Sequence, residues 1–212
     1  MPRSLTNYHI KLLAALFMAI DHIGVVLFPD ADILRILGRF SFPLFAWLLV
    51  EGEKHTSDVR RYGLRLLVLG IISQPIYWLT FESQRLNILF MLLLGLLSLR
   101  GSRMFPSWQI IIWLGSAGLA TAIGIEYGAY GIALIALIGR FKPDGIWWMS
   151  WLLLHLVTWL VLPNLGSFQV PAIFTPLCFS LTNHQRGAKA RWFYWFYPVH
   201  LLILFFIRAQ FF

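Results

Sequence analysis

Three side chains in the apolar stretch from Lys11 to His55 have types and spacing suited to proton transfer: Asp21, His22 and Arg39. Ionisable groups in such a run cost at least a few kcal/mol each at mid-membrane, so each needs a reason to be there. An imidazole titrates near neutrality and can take a proton from an amine or a hydroxyl. A guanidinium can balance developing negative charge. The run turns at Pro29-Asp30-Ala31-Asp32. At a rise of about 1.5 Å per residue, His22 lies about 9 Å below the outer edge, with Asp21 and Arg39 level on consecutive helices. An Asp21–Arg39 ion pair would hold Arg39 for the site, or it would only fasten the hairpin.

Lys11 precedes His22 by three helical turns to within about 20° of rotation, so the two share a face. A cation at the cytoplasmic end can hold an anionic donor while the deeper imidazole works on an acceptor. Glu51, Gly52, Glu53 and His55 follow at the end of the second apolar run, and then Arg60, Arg61 and Arg65. Arg61 and Arg65 are four apart on one helical face, an arrangement suited to phosphate groups as well as to setting topology. Gln74, His155 and His200 fall in the middle or outer part of later spans, as substrate contacts or as packing hydrogen bonds. Three imidazoles could suggest a metal. There is no H-E-x-x-H, close His pair or CxxC, so none is expected. P-loop, G-x-S-x-G and dinucleotide fingerprints are absent as well.

The elements that must position these groups are apolar runs at roughly 10–28, 33–51, 62–81, 87–99, 107–123, 128–139, 146–162, 168–182 and 192–208. This predicts an all-α, polytopic transmembrane helix bundle of about nine spans (eight to ten), in one domain over residues 1–212. The fourth and sixth runs are short for a full crossing. If every run crosses, thirteen of the 17 Lys and Arg residues lie on one face, among them Arg3, Lys11, Lys54, Arg100, Arg140 and Arg186. Only Arg35, Arg39, Arg85 and Arg208 lie on the other. That asymmetry places the amino terminus in the cytoplasm.

A chain that is 59% apolar and 12% charged is neither disordered nor an ordinary soluble domain. The net charge of +8 sits in short loops, the pattern that orients membrane proteins, so nucleic acid is not an expected partner and membrane lipid is. The lone Cys178 forms no internal disulfide. The first run is broken by Asp-His and lacks an A-x-A site, unlike a cleaved signal.

KLLAALFMAIDHIGVVLFP, LRILGRFSFPLFAWLLVEGEKHT, RRYGLRLLVLGIISQPIYWL, NILFMLLLGLL and WFYWFYPVHLLILFFI together resemble the TraX family, most specifically in IDHIG, LGRFSFPLFAWLLVEG and FYPVHL. The resemblance covers most of the chain in the same order. It implies a multi-pass protein of the bacterial inner membrane that acetylates a pilin amino terminus, with acetyl-CoA as donor. One related member acts in pilin cyclisation. By position it implicates Asp21, His22, Arg39, Glu51, His55 and His200. The Lys11-x10-His22 spacing is also similar to the Arg-x10-His pattern of broader membrane acyltransferases, with Lys in place of Arg.

The expected function is therefore transfer of an acetyl or acyl group from cytoplasmic acyl-CoA to a pilin amine, a surface glycan or a small molecule. His22 is the general base, beside Asp21 and Arg39. Lys11, Glu51, His55, Arg61 and Arg65 hold the donor, and Gln74, His155 and His200 contact the acceptor. Two alternatives stand. One is a pilin-processing or cyclising enzyme with Ser41 or Ser73 as nucleophile. The other is a transporter or pilus-assembly protein without catalysis.

Overall fold

The computed structural model describes residues 4–211, so Arg3, one of the predicted cytoplasmic charges, lies outside the described residues. The fold is helical: α1 (Asn7–Leu27), α2 (Asp32–Gly38), α3 (Ser41–His55), α4 (Val59–Phe81), α5 (Ile88–Met104), α6 (Gln109–Ala122), α7 (Gly128–Gly139), α8 (Gly145–Val161), α9 (Pro163–Gln169), α10 (Thr175–Ser180) and α11 (Trp192–Phe211). Extended pairing among the described residues is confined to two isolated bridges, Leu5 with Thr182 and Leu86 with Ile125.

Helix falls within every predicted apolar run, though two of the runs are interrupted. Four stretches are long and apolar enough to cross a membrane: Asn7–Leu27, Asp32–His55, Val59–Phe81 and Trp192–Gln210. The remaining helices have 17 residues or fewer. Their outward faces carry exposed Ile110, Leu114, Ile146 and Met149, as lipid contact requires. The chain is thus an all-α membrane protein.

Proline explains two departures from continuous spans. The second run breaks at Arg39 and Phe40, whose amides reach back only three residues, to Ile36 and Leu37. Pro43 has no N–H for the Arg39 carbonyl, so the ladder cannot continue through that point. The predicted span 168–182 is not one helix: Pro163, Pro171 and Pro176 divide the region into α9, a 3₁₀ segment Val170–Phe174 and α10.

α3 is the axis of the bundle and packs against α1, α5 and α7, while α1, α11, α4, α5, α7 and α8 follow one another around it. In the apolar window that contains it, 61% of residues are buried, against 33% for α1, 39% for α4 and 28% for α11. Trp47 at its centre is 1% exposed and stacks on Phe179 at 4.7 Å. The topology brings α11 beside α1, and the segment 181–185 pairs with residues 5–7 through Leu5 N–H to the Leu181 carbonyl and Asn7 N–H to the Gln185 carbonyl. The last helix therefore closes the wall next to the first.

Candidate active site

The break before α3 sets the first polar pair. Arg39 follows the last residue of α2, and its Nη2 donates to Oδ1 of Asp21 on α1 in a buried ion pair. Its Nε donates to the Arg35 carbonyl at 3.2 Å. Gly38 makes this approach possible, because a Cβ there would lie 2.2 Å from the Asp21 Cβ. Asp21 and Arg39 thus meet on consecutive helices at one depth.

His22, half-buried, faces the opposite neighbour. Its Nδ1 lies 2.8 Å from Nε2 of His200 on α11, with the rings stacked at 5.0 Å. Phe81 closes the other side of His22 at 4.8 Å. His200 Nδ1 lies 2.7 Å from the Phe196 carbonyl. A carbonyl only accepts, so His200 Nδ1 carries a hydrogen and, in the neutral ring, its Nε2 is the acceptor. His22 Nδ1 is then the donor, and this assignment leaves the lone pair on His22 Nε2. The chain His22–His200–Phe196 carbonyl fixes both the ring orientation and the tautomer a general base needs.

Below His22 a cavity of about 390 Å³ runs between α1, α3, α4, α5 and α11 toward the end of the bundle that holds Lys11. Ligand pockets span roughly 300–1,000 Å³. Its mouth is polar and basic, with Lys11, His55, Arg65, His184 and Arg186 around Glu51. Its inner end is apolar, with Met18, Leu69, Leu92 and Tyr197. Met18 is one turn before His22, and the Tyr197 ring is 6.5 Å from the His22 ring. Glu51 is 2% exposed; it accepts from Lys54 at 3.1 Å and from His184 Nδ1 at 3.1 Å. His55 Nδ1 donates to the Glu51 carbonyl at 2.8 Å. Arg65 lies over the rings of Tyr62 and Tyr194, 5.7 and 5.4 Å from their centroids, and Lys11 is 5.8 Å from that of Phe193.

The structure thus gathers Lys11, Glu51, His55 and Arg65 at one cavity, with His22 and His200 just beyond its inner end. It does not bring Arg61 there. Arg61 pairs with Asp58 at 3.0 Å, and its side chain is 83% exposed. Gln74 is engaged in structure: it donates to the Arg85 carbonyl at 2.8 Å and accepts from Asn87 at 2.8 Å, bracing α4 beside Pro75. His155 lies between α7 and α8, with Nδ1 donating to the Trp151 carbonyl at 2.8 Å and Nε2 accepting from Tyr130 at 3.2 Å. The Ser41 hydroxyl donates to the Ala14 carbonyl at 3.1 Å, and Ser73 is wholly buried; neither is the partner of His22.

Three site residues escaped the sequence reading. His184 and Arg186 belong to the loop after Thr182, the longest polar interruption late in the chain. His184 and Gly187 take left-handed backbone there, with φ of +58° and +68°. Glu126 lies in the turn before α7, where its amide donates to the Leu86 carbonyl at 3.0 Å. Burial pushes its carboxyl up to about 7, with Arg39 and Arg85 pulling it down and Asp21 pushing it up. Glu126 therefore belongs electrostatically to the Asp21–Arg39 pair. The signal available was an acid beside an aromatic, Glu126-Tyr127, in a turn with few other polar groups.

Comparison with known proteins adds an independent line. The sequence model of one family, TraX protein, matches residues 7–208. A probable fimbrial assembly protein FimC, serogroup H1, of Dichelobacter nodosus is 31% identical over a 229-residue alignment covering 93% of each chain. An uncharacterised protein of Rickettsia prowazekii, RP591, is 37% identical over 94 residues, which cover 42% of this chain and 36% of that protein. No solved structure matches.

Proposed function

The chain belongs to the TraX family, and from that membership we propose that it is an integral-membrane acyltransferase acting on a pilin amino terminus or a similar acceptor. The observation that carries this reading is the cavity whose basic mouth and apolar inner end lead to a histidine held as a base. The expected donor is acetyl-CoA or another acyl-CoA, reaching the bacterial inner membrane from the cytoplasm, with the amino terminus of the chain on that same side.

Donor phosphates lie at Lys11, Arg65 and Arg186, where charge-assisted hydrogen bonds hold them. His184 and His55 flank the mouth, each with Nδ1 engaged at Glu51. The acyl arm runs down the apolar part of the cavity, and the thioester stops beside Tyr197. His22 Nε2 takes the proton of the acceptor amine as nitrogen attacks the thioester carbon. The C–S bond breaks, and the thiolate recovers a proton from the imidazolium. His200 accepts the Nδ1–H of His22 throughout and shares the charge formed on it. Positioned proton transfer of this kind is worth typically 10²–10⁴ in rate. The Asp21–Arg39 pair lies at the depth of His22, on the side from which an acceptor from the outer face arrives.

The test uses purified protein in nanodiscs with radiolabelled acetyl-CoA. Wild type should hydrolyse or transfer the label, and His22→Ala should lose at least a hundredfold. A wild type that neither binds nor turns over acetyl-CoA and longer acyl donors sinks the reading. A second reading, a non-catalytic pilus-assembly protein, is favoured by the name of the Dichelobacter relative. It predicts pilin binding that is indifferent to CoA thioesters.

A further inference from the structure

We propose that Glu51 is a positioning residue: through His184 it fastens the segment 183–187 across the cavity mouth, so that Arg186 meets the donor's phosphates. This rests on the acyl-transfer reading and adds to it how the phosphate end of the donor is recognised.

The starting point is an acid unsuited to direct contact with the donor. Glu51 is 2% exposed and lines the same mouth as Lys11, Arg65 and Arg186. A carboxylate repels phosphate, so it does not hold the donor itself. Both of its oxygens are engaged, Oε1 by Lys54 at 3.1 Å and Oε2 by His184 Nδ1 at 3.1 Å. Lys54 is a neighbour on α3, whereas His184 is 133 residues away. The second contact is therefore tertiary, and it ties the axis of the bundle to the loop before α11.

The rest of the segment is anchored on the start of α1. Asn183 N–H donates to the Leu5 carbonyl at 2.9 Å, and the Gln185 carbonyl accepts from Asn7 N–H at 2.8 Å. Gly187 lies so close to Thr6 that a Cβ there would collide with the Thr6 side chain. Between these anchors His184 holds a left-handed φ of +58°. A non-glycine residue keeps such a backbone only where its surroundings impose it. Glu51 and the Trp47 ring, 5.6 Å from that of His184, supply those surroundings.

Arg186 explains the latch. Its charge and that of Lys11 are close enough to repel, which pushes the loop away from α1. The Glu51–His184 contact opposes that push, and an anion bound by both cations relieves it. An acyl-CoA carries its phosphates at the end remote from the thioester, where this mouth lies relative to His22. A thioester without phosphates gains nothing from the arrangement.

The test compares acetyl-CoA with acetyl-pantetheine, the same thioester without phosphates, on purified protein in nanodiscs. His184→Gly removes the ring yet accepts the left-handed backbone. His184→Asn keeps both that backbone and an N–H donor on the δ atom. His184→Gly and Arg186→Gln should each raise KM for acetyl-CoA about tenfold, with kcat near wild type. The double variant should be no worse than either single one, because the two residues act as a unit. His184→Asn should restore most of the wild-type KM. Turnover of acetyl-pantetheine by His184→Gly should equal that of wild type. A wild-type KM in His184→Gly overturns the inference and leaves the acyl-transfer reading standing. Additive effects in the double variant, or no restoration by asparagine, overturn it as well. So does an equal loss with both thioesters, since the loop would then be holding the whole cavity. A wild type inactive toward acetyl-CoA and longer acyl donors removes the reading and the inference together.

Discussion

Gly38→Ala tests the geometry of the site with one methyl group. Gly38 ends α2 and needs no left-handed backbone, so alanine is conformationally acceptable and the clash alone decides. The new Cβ would sit 2.2 Å from the Asp21 Cβ and 2.6 Å from its Cγ. The first of these is fixed to the α1 backbone, so no rotamer relieves it. Ordinary contact begins near 3.4 Å, so α1 and α2 must part by about 1.2 Å at this point. Overpacking of that kind costs about 1–3 kcal/mol. Arg39 is the next residue and is carried away from Asp21. Breaking a buried pair by removing one partner costs about 3–5 kcal/mol. A stretched pair loses part of that, so about 3–6 kcal/mol is expected in all. Against a typical total of about 5–15 kcal/mol, this is a large share. The assay is a denaturant midpoint in mixed micelles, with Gly115→Ala as control. Gly115, inside α6, has nothing within 4 Å of its virtual Cβ, so alanine there should be neutral or should stabilise by up to about 1 kcal/mol. A Gly38→Ala midpoint within error of wild type, or both variants moving the same way, would refute the close approach of α1 and α2.

Two further outcomes follow from the site. Burial raises the Glu126 carboxyl from an ordinary 4.5 to about 7, so the native state holds the proton more tightly. Its contribution is fully present below pH 4.5 and is lost as pH rises through about 7; thermal midpoints should decline over that window, and Glu126→Gln should flatten the decline. Arg65→Gln should raise KM for acetyl-CoA several-fold with little change in kcat, while Arg61→Gln, at an exposed residue paired with Asp58, should change neither. Steady-state kinetics on both variants checks this, and equal effects would remove the distinction drawn at the cavity mouth.

Much of this architecture is legible in the sequence because a membrane leaves few options for an apolar run. The helices fall where the runs fall, and counting residues from the Pro29 turn was enough to put Asp21 level with Arg39. What fails is anything that depends on which helix sits beside which. His22 and His200 are 178 residues apart, and no local pattern announces their contact. Arg61 and Arg65 share a face by periodicity, yet Asp58 at the amino-terminal cap of α4 draws Arg61 away. Gln74 and His155 read as site residues because they are polar in apolar surroundings, and the protein itself engages both, Gln74 at Arg85 and Asn87 and His155 at Trp151 and Tyr130. Glu126, His184 and Arg186 lie in loops, where charge is ordinarily ascribed to topology; the fold gathers His184 and Arg186 at the cavity mouth and carries Glu126 toward the Asp21–Arg39 pair.

The pairing of α1 with α11 bears on how the protein comes into being. A ribosome delivers α1 first and α11 last, so His22 enters the bilayer long before His200 exists to hold its tautomer. The loop that brings His184 and Arg186 to the cavity is also late, and it docks on residues 5–7 only when nearly the whole chain has been made. A nascent or truncated chain would carry His22 without its partner on α11 and the pocket without much of its basic rim. On the acyl-transfer reading, competence for chemistry is deferred to the end of synthesis, and a chain stalled in the translocon would be inert toward thioesters.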